Sequence, residues 1–303
     1  QMIVKPGSAY SSDVLSLYLR GLPPGSSTGW MGLDPFYSVA GGQLSVITGI
    51  PNHGKSAWLD ALTINLLHYP YLGKPWKFLI CSPEQEPCQL HISELLERQI
   101  GKRFRDGAGS RMSQQDIRTA LGDVIGDRYE FASFQDDDNF GDLLGVAREF
   151  AERASGSWTP GIILDPWNRL EHRRPSHFSE TEYISEALSL LVTLVRTTGA
   201  HMWVVAHPQK LLPDRQTGKR PVPGPYDISG SAHWANKADN VLAVWRDMDA
   251  AREGLPSQFE THVFVQKIRW KHIGRVGEAV LRYDPATGRY ADMDDGGYRR
   301  ARA

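Results

Sequence analysis

The stretch QLSVITGIPNHGKS, residues 43–56, limits the folds open to this chain more than any other. Its first half is apolar and β-branched, the pattern of a buried strand. The residues that follow, SAWLDALTINLL at 56–67, carry a helical pattern. Between them Gly49 and Gly54 flank four residues and Lys55-Ser56 follow at once, the spacing G-x-x-x-x-G-K-[ST] of a P-loop. The two glycines reach backbone angles that other residues resist, so successive N–H groups can turn inward around a polyphosphate. The helix adds its positive N-terminal end. On this reading Gly49, Asn52, His53, Gly54, Lys55, Ser56 and Ala57 form the nucleotide-binding loop and helix start. Lys55 reaches the β- and γ-phosphates and the Ser56 hydroxyl ligates Mg²⁺. The plainer alternative is a glycine-rich surface turn, which the strand–loop–helix context disfavours.

The remaining pattern extends this unit into an α/β domain. KFLICS (77–82) precedes the helical CQLHISELLERQI (88–100), and GIILDP (161–166) precedes ETEYISEALSLLVTLVRTT (180–198). HMWVVAH (201–207) follows, then an irregular stretch from 210 to 230. NVLAVWR, THVFVQKIRW and GEAVLRYD close the pattern as β-rich segments with hairpin-like spacing. Alternating β and α elements predict a RecA-like, mostly parallel sheet flanked by helices, here with an antiparallel β-rich C-terminal end. Upstream, residues 10–20 read as a short helix capped by Ser11 or Ser12, with Val14, Leu15, Tyr18 and Leu19 on one face. The Pro- and Gly-rich GLPPGSSTG then breaks it. The expected division is a linker helix and linker at 1–27 and one domain at 28–303.

Charge narrows the partners. With 34 basic and 35 acidic residues the net charge is -1, so a nucleic-acid site must be a local concentration of Lys and Arg. Cys81 and Cys88 are the two cysteines, without partners at metal-binding spacing, which points to a reducing compartment. No apolar run reaches the length of a membrane span, and the N-terminus lacks a signal-peptide pattern. The expectation is an intracellular protein with no membrane partner, and a start at Gln1 suggests a piece of a longer one.

Further candidates lie at strand ends. Asp165 ends an apolar strand, where a carboxylate can support Mg²⁺ beside a P-loop, although Asp-Pro is also an ordinary strand-ending turn. Glu84 and Glu86 in SPEQEP are candidates for the general base that orients the attacking water, and spacing alone does not choose between them. His207 can sense a γ-phosphate or be a structural strand-end histidine. Lys267 and Arg269, two apart in a basic strand and turn, share a face. They suit either a solvated edge or an arginine finger inserted into a neighbouring subunit's site.

Six blocks occur in order: STGWMGLDPFYSVAGGQLSVITGIPNHGKS, SPEQEP, DPWNRLEHRRP with ETEYISEAL, WVVAHPQKL, GSAHWANKADNVLAVWRD and QKIRWKHIGRVGEAVLRYDPATGRY. Together, over roughly residues 26–292, they resemble the helicase domain of the Twinkle and phage primase–helicase group, within the DnaB-like, RecA-fold replicative helicases. The resemblance implies a ring, usually a hexamer, that moves 5′ to 3′ along single-stranded DNA, hydrolysing ATP or another NTP with Mg²⁺ between subunits. By position Lys55 and Ser56 hold phosphate and metal, Asp165 supports the metal, and Glu84 aligns with the base. His207 takes the γ-phosphate sensor's place and Lys267 and Arg269 that of the trans-acting basic pair. Arg246 and Tyr283 match positions that flank the nucleotide base. SPEQEP inserts an acidic residue before its proline relative to the commonest pattern, which keeps Glu86 in play. No primase-type zinc motif is present, so a primase belongs to another domain or protein. The compartment implied is the cytoplasm or the mitochondrial matrix.

The segments after Asp165 and His207 are those that a RecA-like ring points into its channel. They carry Arg173, Arg174, Lys210, Arg215, Lys219 and Arg220, suited to phosphate contacts that bind DNA without reading sequence. A RecA-fold recombinase or regulatory ATPase is the competing class, and a loader that binds nucleotide without unwinding is a third. The apolar stripe of the N-terminal helix is expected to dock on an adjacent subunit, or else to fold back on its own domain.

Overall fold

In the computed structural model, residues 4–107, 109–134, 138–214 and 220–293 are described. Nine strands form one sheet: β1 Leu44–Thr48, β2 Trp76–Cys81, β3 Tyr129–Ala132, β4 Thr159–Leu164, β5 His201–Val205, β6 Asn240–Trp245, β7 Glu260–Ile268, β8 Gly277–Tyr283 and β9 Tyr290–Asp292. Their order is β3-β2-β4-β5-β1-β6-β7-β8-β9. The first six in that order run parallel and the last three are added antiparallel. This is the mostly parallel sheet with an antiparallel end that the alternation predicts.

The helices are α1 Ser11–Arg20, α2 Lys55–Leu66, α3 Cys88–Ile100, α4 Gln114–Ala120, α5 Gly126–Arg128, α6 Phe140–Ala154, α7 Glu180–Thr198, α8 His233–Lys237 and α9 Met248–Glu253. The parallel strands other than the edge strand β3 are buried on both sides, and alternate residues feed two cores. Ile47, Phe78, Ile80, Trp203 and Val205 pack against Trp58, Leu59 and Leu62 of α2 and Leu95 and Leu96 of α3. Val46, Leu79, Ile162, Leu164 and Val204 pack against α6 and α7 through Phe150, Leu188 and Leu191. The helices on the second face start at capping boxes, Asn139–Asp142 for α6 and Ser179–Glu182 for α7. The sequence reading did not place β3, α4 or α6, which lie in a stretch whose polar helical faces blur the apolar period.

Before the first strand, Asp34 accepts from the Thr28 backbone N–H and hydroxyl and from the Ser27 hydroxyl, while Ser26 pairs with Val39. This ties the segment from residue 26 onto the domain. α1 behaves differently. It begins after a 3-10 turn at Gly7–Tyr10, its N-cap is Tyr10 without a side-chain cap bond, and Ser11 Oγ donates backward to Ser8 O. The expected Ser11 or Ser12 cap is not formed, because the turn ahead already continues the helical path. None of its residues is buried, and Tyr18 is 82% exposed.

Candidate phosphate and nucleotide site

The sheet order sets the site. Reading across β2, β4, β5 and β1, the chain leaves the C-terminal edge at Ser82–Glu84, Asp165, Ala206–His207 and Gly49, so residues from four distant segments meet at one edge. Between β1 and α2 the loop takes left-handed angles at Asn52 (φ 68) and Gly54 (φ 86). A Cβ on Gly49 would lie 2.3 Å from Val244 O, so the glycine there is a spatial requirement of the turn beside β6. Gly54 serves as the N-cap of α2 and directs the first helical N–H groups into the loop.

Lys55 is 5% exposed, and its Nζ donates to Gly49 O at 2.8 Å and Ile50 O at 3.1 Å. Burial draws its pKa down to about 8, opposed by the carboxylates of Asp165 and Glu84. The ammonium therefore lies in the field of both candidate acids. Asp165 is 6% exposed, and burial raises its pKa to about 6 against a hydrogen bond with Ser56. Ser82 Oγ donates to Asp165 O at 2.8 Å and the Asp165 N–H to Cys81 O at 3.0 Å, which fixes the strand end. A hydroxyl and a carboxylate beside a cation-lined loop are hard oxygen donors, the set that suits Mg²⁺ shared with substrate phosphates. No cluster of three or more His, Cys, Asp or Glu that would hold a metal alone occurs among the described residues.

Glu84 sits in the β2–α3 loop, its side chain 42% exposed, and Oε1 accepts from Arg169 Nε at 2.8 Å. Glu86 instead lies 3.8 Å from Cys88 Sγ. Of these two glutamates, Glu84 is the one whose charge acts on Lys55 and His207. The His207 N–H donates to Asn168 Oδ1 at 3.0 Å, while its buried Nδ1 has no hydrogen-bond partner among the described residues. Burial, with the Lys55 charge, lowers its pKa, so the imidazole is neutral at pH 7.

Next to the loop, the Arg246 N–H donates to His53 Nδ1 at 3.1 Å, and its guanidinium lies 3.9 Å from the centroid of the Tyr283 ring. The two candidate base-flanking residues are thus in contact beside the P-loop. Lys267 and Arg269 are elsewhere. Lys267 Nζ donates to Ala235 O and Ala238 O, both at 2.7 Å, and Arg269 Nε to Asp239 Oδ1 at 2.5 Å. Asp239 also accepts from the Leu44 N–H, at the start of β1. The pair therefore sits at the sheet edge opposite the P-loop, roughly 20 Å away along β6. Arg173, Arg174, Lys210 and Arg220 are exposed on the segments that leave β4 and β5. Arg220 adds to the positive field at His53. Arg215 and Lys219 lie outside the described residues.

Several partners escaped the sequence reading. Asn168 and Arg169, three and four residues beyond Asp165, hold His207 and Glu84 respectively. Thr261 and Tyr290 hold Arg246, and here a signal existed: the tight turn in YDPATGRY makes Tyr283 and Tyr290 a cross-strand pair. A buried cluster between α2 and α3 gave no signal at all. In it His91 Nε2 and Asp60 Oδ1 are 2.9 Å apart, with Arg98 3.8 Å from Asp60.

No protein-family model matches the chain. A Twinkle homologue of Arabidopsis thaliana, described as chloroplastic/mitochondrial, is 38% identical over 277 residues, covering 88% of this chain and 36% of the relative. Over most of its length the chain is similar to that Twinkle homologue. The chain spans little more than a third of that Twinkle homologue's length. Among solved structures, one described as an ATPase domain has a TM-score of 0.74 at 18% identity, covering 96% of this chain and all of that one. A DnaB-like replicative helicase, in a structure that addresses its interactions with primase, has a TM-score of 0.72 at 18% identity, covering 96% of this chain and 72% of that one. These two show that the chain shares their RecA-like fold. Among its described residues no helix is long and apolar enough to cross a membrane.

Proposed function

We propose that this chain is the motor domain of a replicative DNA helicase that assembles into a ring, hydrolyses ATP or another NTP between subunits, and moves 5′ to 3′ on single-stranded DNA. The observation that carries the reading is the convergence of Lys55, Asp165, Glu84 and His207 at one sheet edge from four separate segments. Lys55 would neutralise the β- and γ-phosphates in place of the carbonyls that now accept from it. Ser56 and Asp165 would hold Mg²⁺, which supplies charge neutralisation on the phosphates. Glu84, the member of the acidic pair nearer Lys55, would take the proton of the attacking water, and Arg169 holds its carboxylate in place. Neutral His207 would report the γ-phosphate to the segment beyond β5.

Lys267 and Arg269 lie too far from this chain's own P-loop to act there, which supports a role in a neighbour's site. That role requires them to leave Ala235, Ala238 and Asp239. α1, with its apolar stripe uncovered, would dock on the adjacent subunit and hold the ring together. Residues 1–27 would then be the bridging linker and 28–303 the motor. Arg173, Arg174, Lys210, Arg215, Lys219 and Arg220 would contact DNA phosphates, and a primase would be carried elsewhere on the protein or by a partner. The relative's description makes a mitochondrion or chloroplast the proposed location, with the cytoplasm as the alternative.

Strand displacement on forked DNA with ATP and Mg²⁺, beside light scattering, tests this reading. Unwinding by a particle several protomers in mass is expected; nucleotide-dependent DNA binding without displacement would favour the recombinase or regulatory class. Deleting residues 1–22 should shift the assembly toward protomers, and an unchanged mass would remove α1 from the interface.

A further inference from the structure

Asp239, at the entry to β6, cannot follow a partner that leaves it. Its N–H donates to Leu44 O at 2.8 Å, and its Oδ2 accepts from the Leu44 N–H at 2.9 Å. The side chain is 3% exposed, so the carboxylate stays under the sheet edge whatever its neighbours do. Among the described residues three cations face it, from two segments of the chain. Arg269, just beyond β7, donates from Nε to Oδ1 at 2.5 Å. Lys267, within β7, feels the Asp239 charge, which opposes the burial that lowers its pKa. Arg196, in the last turn of α7, holds Nη2 3.8 Å from the same Oδ1, about one ångström longer than a charge-assisted hydrogen bond.

Lys267 and Arg269 share one segment, so a role in a neighbour's site takes both away from Asp239 together. A carboxylate left buried without a counter-charge is costly, and that cost would oppose the move itself. Arg196 does not belong to the moving segment. It is rooted on a helix that is buried through Leu191, Leu194 and Val195. Its half-exposed side chain has only that short distance to close to take the vacated place on Oδ1. A cation in the last turn also suits the C-terminal end of any helix, but that role is indifferent to the charge on Asp239. The difference between the two roles can be measured.

We propose that Arg196 is a positioning residue that takes over the Asp239 carboxylate when Arg269 leaves it, and so lets Arg269 reach a neighbouring subunit. This deepens, and rests on, the reading of Lys267 and Arg269 as groups that act in a neighbour's site. The exchange touches neither the P-loop nor the nucleotide, so it acts on kcat in the assembled protein and not on KM. Steady-state hydrolysis of ATP with Mg²⁺ is measured on the full chain and its variants, with the particle mass followed by light scattering. Arg196→Gln is expected to lower kcat about five- to tenfold, with KM and mass within about twofold of wild type. Asp239→Asn keeps an acceptor for the Leu44 N–H and needs no counter-charge, so it should hydrolyse at least as fast as wild type. In the double variant Asp239→Asn should restore most of the rate that Arg196→Gln loses. Arg196→Gln at the wild-type rate would overturn the proposal, as would a double variant no faster than Arg196→Gln. A smaller particle in Arg196→Gln would make Arg196 an interface residue and overturn it too. Full hydrolysis by Arg269→Ala would overturn the trans reading itself and the exchange with it, a result distinct from the others. If Asp239→Asn melts well below the wild type, Arg196→Lys decides: the retained charge should keep kcat within about threefold of wild type, and a rate as low as that of Arg196→Gln would overturn the proposal.

Discussion

At the C-terminal edge of the parallel strands, charged groups are buried with less pairing than they could have. Lys55 rests on two backbone carbonyls, Asp165 has a raised pKa, and the buried His207 Nδ1 has no hydrogen-bond partner among the described residues. At the opposite edge Lys267 and Arg269 are fully engaged, one on the carbonyls that end α8 and the other on Asp239. Burying a charge without a full partner costs stability, and a site bears that cost where a ligand brings the missing charge. The opposite edge has its counter-charge within the same chain. The two edges thus differ in where their partners come from, and substitutions can break or sharpen that difference.

The largest effect is expected at the P-loop. Lys55→Ala should lower steady-state NTP hydrolysis by about a hundredfold or more, since the phosphates lose the one buried ammonium aimed at them. Turnover within about threefold of wild type would mean that this edge does not receive phosphate. Glu84→Gln should retain ATP binding and reduce hydrolysis by about a hundredfold in single-turnover measurements, because an amide cannot take the proton. Glu86→Gln, whose carboxylate faces Cys88, should leave turnover within about twofold; the reverse pattern would move the base to Glu86.

At the other edge, Arg269→Ala should reduce hydrolysis on the order of tenfold in assembled protein. It also takes a positive partner from buried Asp239, although Arg196 remains 3.8 Å away, so a melting temperature a few degrees lower is expected. Loss of stability with full hydrolysis would make the residue purely structural. Asp165→Asn should do the opposite. A carboxyl whose folded pKa is raised from 3.8 to about 6 costs stability once ionised, so at pH 7.5 the amide should be more stable, by up to about 3 kcal/mol, and melt at a higher temperature. Mg²⁺ should then shift the melting of the wild type and not of the variant.

The smallest effect concerns the buried pair between α2 and α3. The Asp60 carboxylate raises the His91 pKa against the burial that lowers it, and His91 in turn lowers that of Asp60. A histidine with a raised folded pKa contributes stability that is fully present below its unfolded value near 6.5 and is lost as pH rises through the folded value. For Asp60 the contribution is present above its unfolded value near 3.8 and lost as pH falls through the lowered one. The pair is therefore fully effective between about pH 4 and 6.5. Thermal melts of His91→Gln against wild type should differ more at pH 6 than at pH 9, and an equal difference at both would show the histidine to be neutral in the fold.

The P-loop was legible because its chemistry is local: eight consecutive residues supply the turn, the ammonium and the hydroxyl. The antiparallel C-terminal end was legible from strand length and turn spacing, and the six ordered blocks carried the family resemblance. The acid near Lys55 was not, since Glu84 and Glu86 both follow β2 and only the path of the loop turns one toward Lys55 and the other toward Cys88. β3 and α6 went unread because half of each amphipathic element faces solvent, and its polar residues dilute the apolar signal.

What the sequence determined by itself is everything that depends on neighbours along the chain: the glycine-flanked loop with its lysine and hydroxyl, the alternation that makes a parallel sheet, and the apolar stripe of α1. What the tertiary structure decided is which distant side chains complete one another. Arg246 gains Thr261 from β7 and Tyr290 from β9, Glu84 gains Arg169 from beyond β4, and Asp60 gains His91 from α3. Those pairings follow from strand order, and the free energy that fixes strand order comes from burying both faces of the sheet. It is shared among many apolar residues, so no single motif records it.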